Sequence, residues 1–371
     1  MDIALTQGNI RAAQRPAAAR PIALWLLGCC ALVLAMVVVG GATRLTHSGL
    51  SIVEWAPILG TLPPLTEQQW LEAFAKYQRT PEYKLVNHAM GVEEFKGIFW
   101  WEYFHRLLGR LIGVVFLLPL LWFALRRRVD ARLGLRLAGI FVLGGLQGAM
   151  GWYMVASGLV DDPRVSHFRL TVHLGLAFLI FAAMFWLAMN LLWPRARVAA
   201  SEALGRARRL GWAVVALTAF MVVTGGLVAG IRAGYAYNTF PLMNGHVVPP
   251  EILMLEPWWK NLFYNMATVQ FDHRLGAWLL AALVPLLWLS ILRATHARAA
   301  IAPASHRRIR AAGAALLALV AIQIALGIAT LLTGVAIPLG VAHQGVAVLV
   351  FAAALATVHA LHGAAAREHR T

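Results

Sequence analysis

Eight long apolar runs dominate this sequence and constrain its fold more than any other feature. One α-helix crosses a bilayer with about 20 apolar residues, and a helix satisfies its own backbone polar groups in lipid. With 60% hydrophobic and only 13% charged residues, the chain is expected to be an all-α membrane protein. This composition excludes a disordered chain, a nucleic-acid-binding domain and an ordinary soluble enzyme. The runs cover roughly residues 22–42, 98–125, 135–156, 168–193, 210–231, 268–293, 311–333 and 339–362.

Arginine placement predicts the orientation of these spans. Positively charged connections stay in the cytoplasm, and the whole net charge of +16 lies on alternate segments of the chain. Both termini are therefore expected in the cytoplasm, and no nucleic acid is needed to explain the charge. The cytoplasmic segments are 1–21, 126–136, 194–209, 293–310 and 363–371.

The beginning of the chain is read as a membrane span. Its apolar run is longer than that of a signal peptide, and no small-residue cleavage site follows it. The two cysteines, Cys29 and Cys30, are neighbours inside this run. They predict neither a disulfide framework nor a thiolate metal site.

The two halves of the chain, residues 22–193 and 210–362, resemble each other. An even number of spans per half predicts a parallel repeat, with the halves forming two pseudo-symmetric four-helix bundles. The Gly-Gly pairs within the repeat are expected to serve close helix packing. The matching segments are VVVGG (37–41) with VVTGG (222–226), FHRL (104–107) with DHRL (272–275), and QGAMG (147–151) with QIALG (323–327).

Four histidines occupy equivalent places in this repeat. His105, His173, His273 and His343 each lie on an even-numbered span near its outer end, and each pair is separated by 68 or 70 residues. A single buried histidine is more often a hydrogen-bonding residue, but two facing imidazoles per bundle suit the axial positions of a haem. Zinc or copper would need further ligands, which these spans lack. The sequence therefore predicts one haem-like macrocycle in each half, near the outer surface.

Charged residues beside the histidines leave two interpretations open. Arg232 and Arg274 are candidates to bind the haem propionates, since arginine binds carboxylates bidentately; alternatively they extend to the membrane interface. Glu102 lies three residues before His105, where Gln270 precedes His273. A carboxylate there can stabilise a developing cation or act as a base, or it pairs with Arg106 one turn later. This asymmetry predicts chemistry in the N-terminal half and electron transfer in the C-terminal half.

Long segments of the chain resemble the haem A synthase family, in its mitochondrial and α-proteobacterial branch. The other branch has a cysteine pair in the first outer loop, which this sequence lacks. The segments are GGATRLT (40–46), GLSIVEW (49–55), PEYKL (81–85), EEFKGIFWWEY (93–103), HRLLGR (105–110), NTFPLM (238–243) and QFDHR (270–274).

The resemblance implies an eight-helix inner-membrane enzyme that oxidises a ring methyl of haem O, through an alcohol, to the formyl group of haem A. It implies that His273 and His343 bind a haem b cofactor, and that His105 and His173 face the iron of the substrate haem. Glu102 matches the family's essential glutamate. The implied partners are haem O synthase, the farnesyltransferase that makes the substrate, and an electron-transfer protein that these residues do not identify.

Two other functions remain as alternatives at this point. A membrane b-type cytochrome would only transfer electrons, but transfer across the bilayer needs haems at two depths, and the four histidines share one. A transporter built from repeats usually has interrupted helices and ionisable groups at the membrane midplane. Here only Pro119 and Pro285 interrupt the even spans near their centres.

Overall fold

The computed structural model describes residues 3–56, 59–194, 202–296 and 301–363. Within these ranges, eight helices are long and apolar enough to cross a membrane, which confirms an all-α, multi-pass membrane protein. Most of the predicted cytoplasmic tail, 363–371, and part of the linker 194–209 lie outside the described residues. The eight helices are α1 (Ile3–Leu45, apolar from Ala19), α4 (Val92–Leu125), α5 (Ala131–Ala156), α6 (His167–Leu192), α7 (Glu202–Gly230), α9 (Met266–His296), α10 (Pro303–Leu332) and α11 (Ile337–His362).

Several of these helices, α4 and α10 among them, begin well before the apolar runs that predict them. α4 begins at Val92, where the Glu94 side chain accepts a hydrogen bond from the Gly91 backbone N–H at 3.0 Å. Acidic residues in a first turn also favour the positive end of the helix dipole. α10 begins at Pro303, and proline suits the first turn because it lacks the N–H that would be unpaired there. A polar cap contact at α4 and a proline in the first turn of α10 therefore extend these helices beyond their apolar segments.

The helices of each half contact one another in the same cyclic order. In the N-terminal half, α1 packs against α4, α4 against α5, α5 against α6, and α6 against α1. In the C-terminal half, α7, α9, α10 and α11 form the equivalent ring. In each ring, the two histidine-bearing helices both contact the same two neighbours, which places them at opposite corners. The order of helix contacts is therefore the same in the two halves.

The two rings meet along one pair of helices from each. α1 and α6 contact α7 and α11, and these four helices contain most of the buried apolar core, including Leu26, Met184, Val214 and Val358. The other four helices are exposed along most of their length, as expected for surfaces that face lipid. The interface between the halves is therefore the hydrophobic centre of the molecule.

All four histidine-bearing helices begin at the same end of the bundle. Residues 46–91 and 231–265 connect helices at this end, which we call the loop end. The first connection contains α2 (Glu67–Tyr77) and α3 (Pro81–Leu85), capped by Thr66 and Thr80, and the second contains α8 (Asn261–Tyr264). α2 and α3 cover the start of α4 through a buried aromatic cluster that includes Tyr77, Phe95, Phe99 and Tyr103.

Candidate functional site

Each of the four histidine rings lies against a glycine of a neighbouring helix. A Cβ atom added to Gly40 would be 2.8 Å from Cε1 of His105, and one added to Gly225 would be 3.2 Å from Cε1 of His273. Gly151 and Gly327 stand in the same relation to His173 and His343, at 3.1 and 2.9 Å. Because a side chain at these positions would displace an imidazole, these glycines shape the site itself.

The Gly-Gly pairs of α1 and α7 divide their contacts between the two halves. The first glycine of each pair contacts the histidine of its own half. The second faces the other half, where a Cβ on Gly41 would be 2.8 Å from Oε1 of Gln344, and one on Gly226 would be 2.9 Å from Oγ1 of Thr171. The predicted packing role therefore describes the second glycine, while the first positions a ring.

A glutamine holds the second histidine of each half. Nε2 of Gln147 donates to the backbone carbonyl of His173 at 3.1 Å and lies 3.4 Å from the ring Nε2. Nε2 of Gln323 makes the same contacts with His343, at 3.0 and 3.4 Å. Both glutamines lie in the repeated segments QGAMG (147–151) and QIALG (323–327). The sequence did not indicate that they bind the histidines, because each contact joins two different helices.

The rings of His273 and His343 face each other across the C-terminal bundle. Their centroids are 6.5 Å apart and their planes differ by 76°. Two nitrogen–metal bonds of about 2 Å, together with the two ring radii, add up to roughly 6 Å. This separation fits one metal ion between two imidazoles. Among the described residues, no three His, Cys, Asp or Glu side chains gather as ligands, so the donor set is a pair, as in a haem with two axial histidines.

The imidazole Nδ1 atoms differ in their surroundings. Nδ1 of His273 lies 2.9 Å from Oγ1 of Thr224. Nδ1 of His105, His173 and His343 is buried and has no hydrogen-bond partner. Thr224 is one residue of the repeated segment VVTGG (222–226), and the sequence alone does not indicate its contact with His273.

Glu102 is buried and surrounded by hydrogen-bond donors. One oxygen accepts from the Ser51 hydroxyl and from the Ile52 backbone N–H, both at 2.7 Å. The other accepts from Nε and Nη2 of Arg106, at 3.1 and 2.7 Å. The ion pair between Glu102 and Arg106, one of the two roles that the sequence suggested for this carboxylate, is therefore present. Arg106 also donates to the backbone carbonyls of Ile52 and Glu54, so the pair fastens segment 51–54 to α4.

Gln270 and Arg274 fasten the equivalent segment of the other half. Gln270 donates to the Ala233 carbonyl at 2.7 Å, and its own oxygen accepts from Arg274 at 2.9 Å. Arg274 also donates to the Tyr237 carbonyl at 2.8 Å. In both halves, a side chain on a histidine-bearing helix and an arginine one turn later attach the loop segment to that helix. The Gln270 amide donates a hydrogen bond to its loop segment, whereas the Glu102 carboxylate only accepts hydrogen bonds from its own.

Arg232 lies between the two halves at the loop end. It has a left-handed backbone with a φ of 58°, and its Nη2 is 3.4 Å from Nδ1 of His47. Binding of haem propionates by Arg232 and Arg274 remains a prediction. The described contacts of Arg274 are with the loop backbone, and its buried Nε has no hydrogen-bond partner.

A cavity of about 710 Å³ opens beside Arg232 at the loop end. It lies between the first connection and residues 161–164, and Glu82 of α3 lines it. Burial raises the pKa of the Glu82 carboxyl to about 7, against a smaller lowering by the hydrogen bond from Tyr77. The cavity therefore contains a carboxyl group that titrates near neutral pH.

Comparisons with known proteins identify the family of this chain. The sequence profile of a family described as cytochrome oxidase assembly protein, COX15-CtaA, matches residues 23–355. A protein of Nitrosospira multiformis named heme A synthase is 58% identical over 348 residues, which cover 94% of this chain and 95% of the relative. A relative of the same name from Nitrosomonas eutropha is 53% identical, over 90% of this chain and 92% of its own length. Another from Rhodospirillum centenum is 50% identical, over 94% of this chain and 90% of its own length. The chain belongs to the COX15-CtaA family of cytochrome oxidase assembly proteins.

Proposed function

We propose that this protein is a haem A synthase, an enzyme that acts on haem and supplies haem A to terminal oxidases. The proposal depends on one observation: in each four-helix half, the two histidine-bearing helices lie at opposite corners. In the C-terminal half their imidazole centroids are 6.5 Å apart. The relatives named heme A synthase support the same conclusion. The reaction is an oxidation in which a ring methyl of haem O becomes a hydroxymethyl group and then the formyl group of haem A.

The C-terminal half is proposed to hold the resident cofactor. His273 and His343 would hold haem b, which would supply one-electron transfer when bound. Gly225 and Gly327 leave room for the two rings, and Gln323 fixes the helix that bears His343. These residues hold both imidazoles in place, as a permanent cofactor requires.

The N-terminal half is proposed to bind the substrate, with His105 and His173 facing the iron of haem O. Glu102 lies one helical turn from His105, on the same face of α4. A carboxylate has about four lone-pair sites, and four donors already occupy those of Glu102. Action as a base would require the loss of one of these contacts. We therefore assign Glu102 the other role, that of a carboxylate held in place by Arg106 and segment 51–54 that stabilises positive charge developing at the ring methyl.

The arrangement in the membrane follows from the arginine distribution. We propose that the chain lies in the cell inner membrane with both termini in the cytoplasm, since its positive connections are on one side. The loop end and both haem sites would then lie near the periplasmic face. The two rings of helices are proposed to be pseudo-symmetric bundles, one for the substrate and one for the cofactor.

Two protein partners are part of this proposal. Haem O synthase, the farnesyltransferase that makes the substrate, would deliver haem O to the N-terminal half. The oxidation also requires an electron-transfer partner that the residues of this chain do not identify.

The proposal is tested by expressing the full chain in cells that make haem O and extracting the pigments. We expect hydroxymethyl and formyl haem in the extract, with a bis-histidine haem b in the purified protein. Haem b without either product would contradict the proposal and favour a cytochrome that only transfers electrons.

A further inference from the structure

The duplicated sites differ at one position that contacts a histidine ring. In the C-terminal half, Thr224 of α7 lies next to His273, with Oγ1 2.9 Å from Nδ1. In the N-terminal half, the matching residue of the repeat is Val39, since VVVGG aligns with VVTGG. The glycines that follow, Gly40 and Gly225, contact the rings of the two halves in the same way. The two halves therefore share the glycine contact with the histidine ring, whereas the threonine hydroxyl is present in the C-terminal half and replaced by valine in the N-terminal half.

The direction of the Thr224 hydrogen bond follows from the other neighbours of its hydroxyl. Oγ1 lies 3.3 Å from the carbonyl oxygen of Met221, one turn earlier. A hydroxyl has one donor hydrogen and two acceptor lone pairs. If the hydrogen points to the Met221 carbonyl, a lone pair is left to accept the Nδ1–H of His273. That tautomer leaves Nε2 of His273 with the lone pair that a metal requires.

Among the described residues of the N-terminal half, none makes such a contact with Nδ1 of His105, which is buried and has no hydrogen-bond partner. Val39, at the position that matches Thr224, has an apolar side chain. Hydrogen bonding at Nδ1 therefore does not fix the tautomer or the orientation of this ring, which packs closely against Gly40.

We propose that Thr224 is a positioning residue that makes the C-terminal site a permanent one, whereas Val39 keeps the N-terminal site exchangeable. A hydrogen bond to the second nitrogen of a metal-binding histidine fixes its orientation and increases its basicity as a ligand. A resident cofactor benefits from both effects. A substrate haem must enter and leave in every cycle, so a weaker ligand is suitable there. This inference rests on the proposed function, because it assumes a resident and a substrate haem.

The test measures how fast haem leaves the purified full-length protein. Excess apomyoglobin captures the released haem, and a His105→Ala background limits binding to the C-terminal site. In this background Thr224→Val, which removes the hydroxyl at nearly constant volume, is expected to increase the rate of haem loss roughly 10- to 100-fold, the usual effect of losing such a partner. Thr224→Ser keeps the hydroxyl and is expected to restore slow loss and the original low-spin electron paramagnetic resonance signal.

The same helix provides a matched control. Thr218 is buried, and its hydroxyl donates to the Val214 carbonyl at 2.8 Å, a bond within the helix. Thr218→Val is expected to leave the rate of haem loss and the resonance signal unchanged. Equal rates for Thr224→Val and Thr218→Val would overturn the inference and leave the proposed function intact.

The reciprocal substitution tests the N-terminal half. Val39→Thr, placed in a His273→Ala background, introduces a hydroxyl where His105 Nδ1 has no partner. We expect haem loaded into this variant to leave several-fold more slowly than from His273→Ala alone, and an unchanged rate would count against the inference. Wild-type protein that binds no haem at either site would overturn the proposed function, and this inference with it.

Discussion

Replacement of Gly327 by alanine is expected to disrupt the haem b site more than the fold. The new Cβ would lie 2.9 Å from Cε1 of His343, whereas carbon atoms in contact are usually about 3.5–4.0 Å apart. The ring must therefore move by about 0.6 Å or more. Functional groups need to stay within about 0.5 Å of their working positions, so we expect most of the haem b to be lost.

The energetic effect on the fold is predicted to be smaller. Overpacking costs about 1–3 kcal/mol, while alanine gains about 1 kcal/mol over glycine inside a helix. The net loss of stability is therefore about 0–2 kcal/mol. The variant should remain in the membrane with nearly normal thermal stability.

Gly313→Ala on the same helix is the matched control. Its Cβ would lie 2.8 Å from Cδ1 of Ile291 and 3.1 Å from the ring of Trp288, so the overlap is similar but involves no histidine. Haem b is measured after extraction as a pyridine complex, and stability by thermal unfolding in detergent. We expect similar stability in both variants and haem loss only in Gly327→Ala. If Gly313→Ala loses as much haem, or Gly327→Ala keeps it, the proposed role of the glycine is wrong.

Two further predictions concern carboxyl groups at the loop end. Glu102→Gln keeps an acceptor for Arg106 but removes the charge, so haem binding should persist while formyl haem production falls about 100- to 1000-fold. Ser51→Ala removes one donor and keeps the charge, so its effect on production should be much smaller. Normal formyl haem production by Glu102→Gln would contradict the assigned role. Glu82 has its pKa raised from 4.5 to about 7, so the folded cap formed by residues 46–91 binds more protons than the unfolded chain between these values. The contribution of Glu82 to the stability of this cap should therefore be greatest below pH 4.5 and fall by about 3 kcal/mol as the pH rises through 7. Protease protection of α2 and α3 should show this fall, Glu82→Gln should abolish it, and the same pH dependence in that variant would refute the assignment.

The sequence was sufficient to predict the membrane-spanning helices because their signal is local. Each apolar run needs only its own residues to satisfy the backbone in lipid, and the described part of the chain contains eight such helices. The structure differs at helix starts such as Val92 and Pro303, where a polar cap contact in one case and a first-turn proline in the other mark the boundary. Hydropathy alone does not detect these first turns.

The histidines could be identified from the repeat, but their environment could not. Matching positions in the two halves identified His105 and His273 as equivalents, because duplication preserves spacing along the chain. The contacts that distinguish them join different helices, as between Thr224 and His273 or Ser51 and Glu102. Such contacts depend on how helices pack, which no local pattern encodes.

Haem extraction from single-site variants shows whether each half binds its own haem between two histidines. Purified wild type, His273→Ala and His105→Ala should be compared for haem b content and for haem A produced in cells that make haem O. We expect His273→Ala to lose haem b, and His105→Ala to keep haem b but make no haem A. Haem b retained in full by His273→Ala, or haem A made by His105→Ala at the wild-type level, would show that the two halves do not each bind a haem in this way.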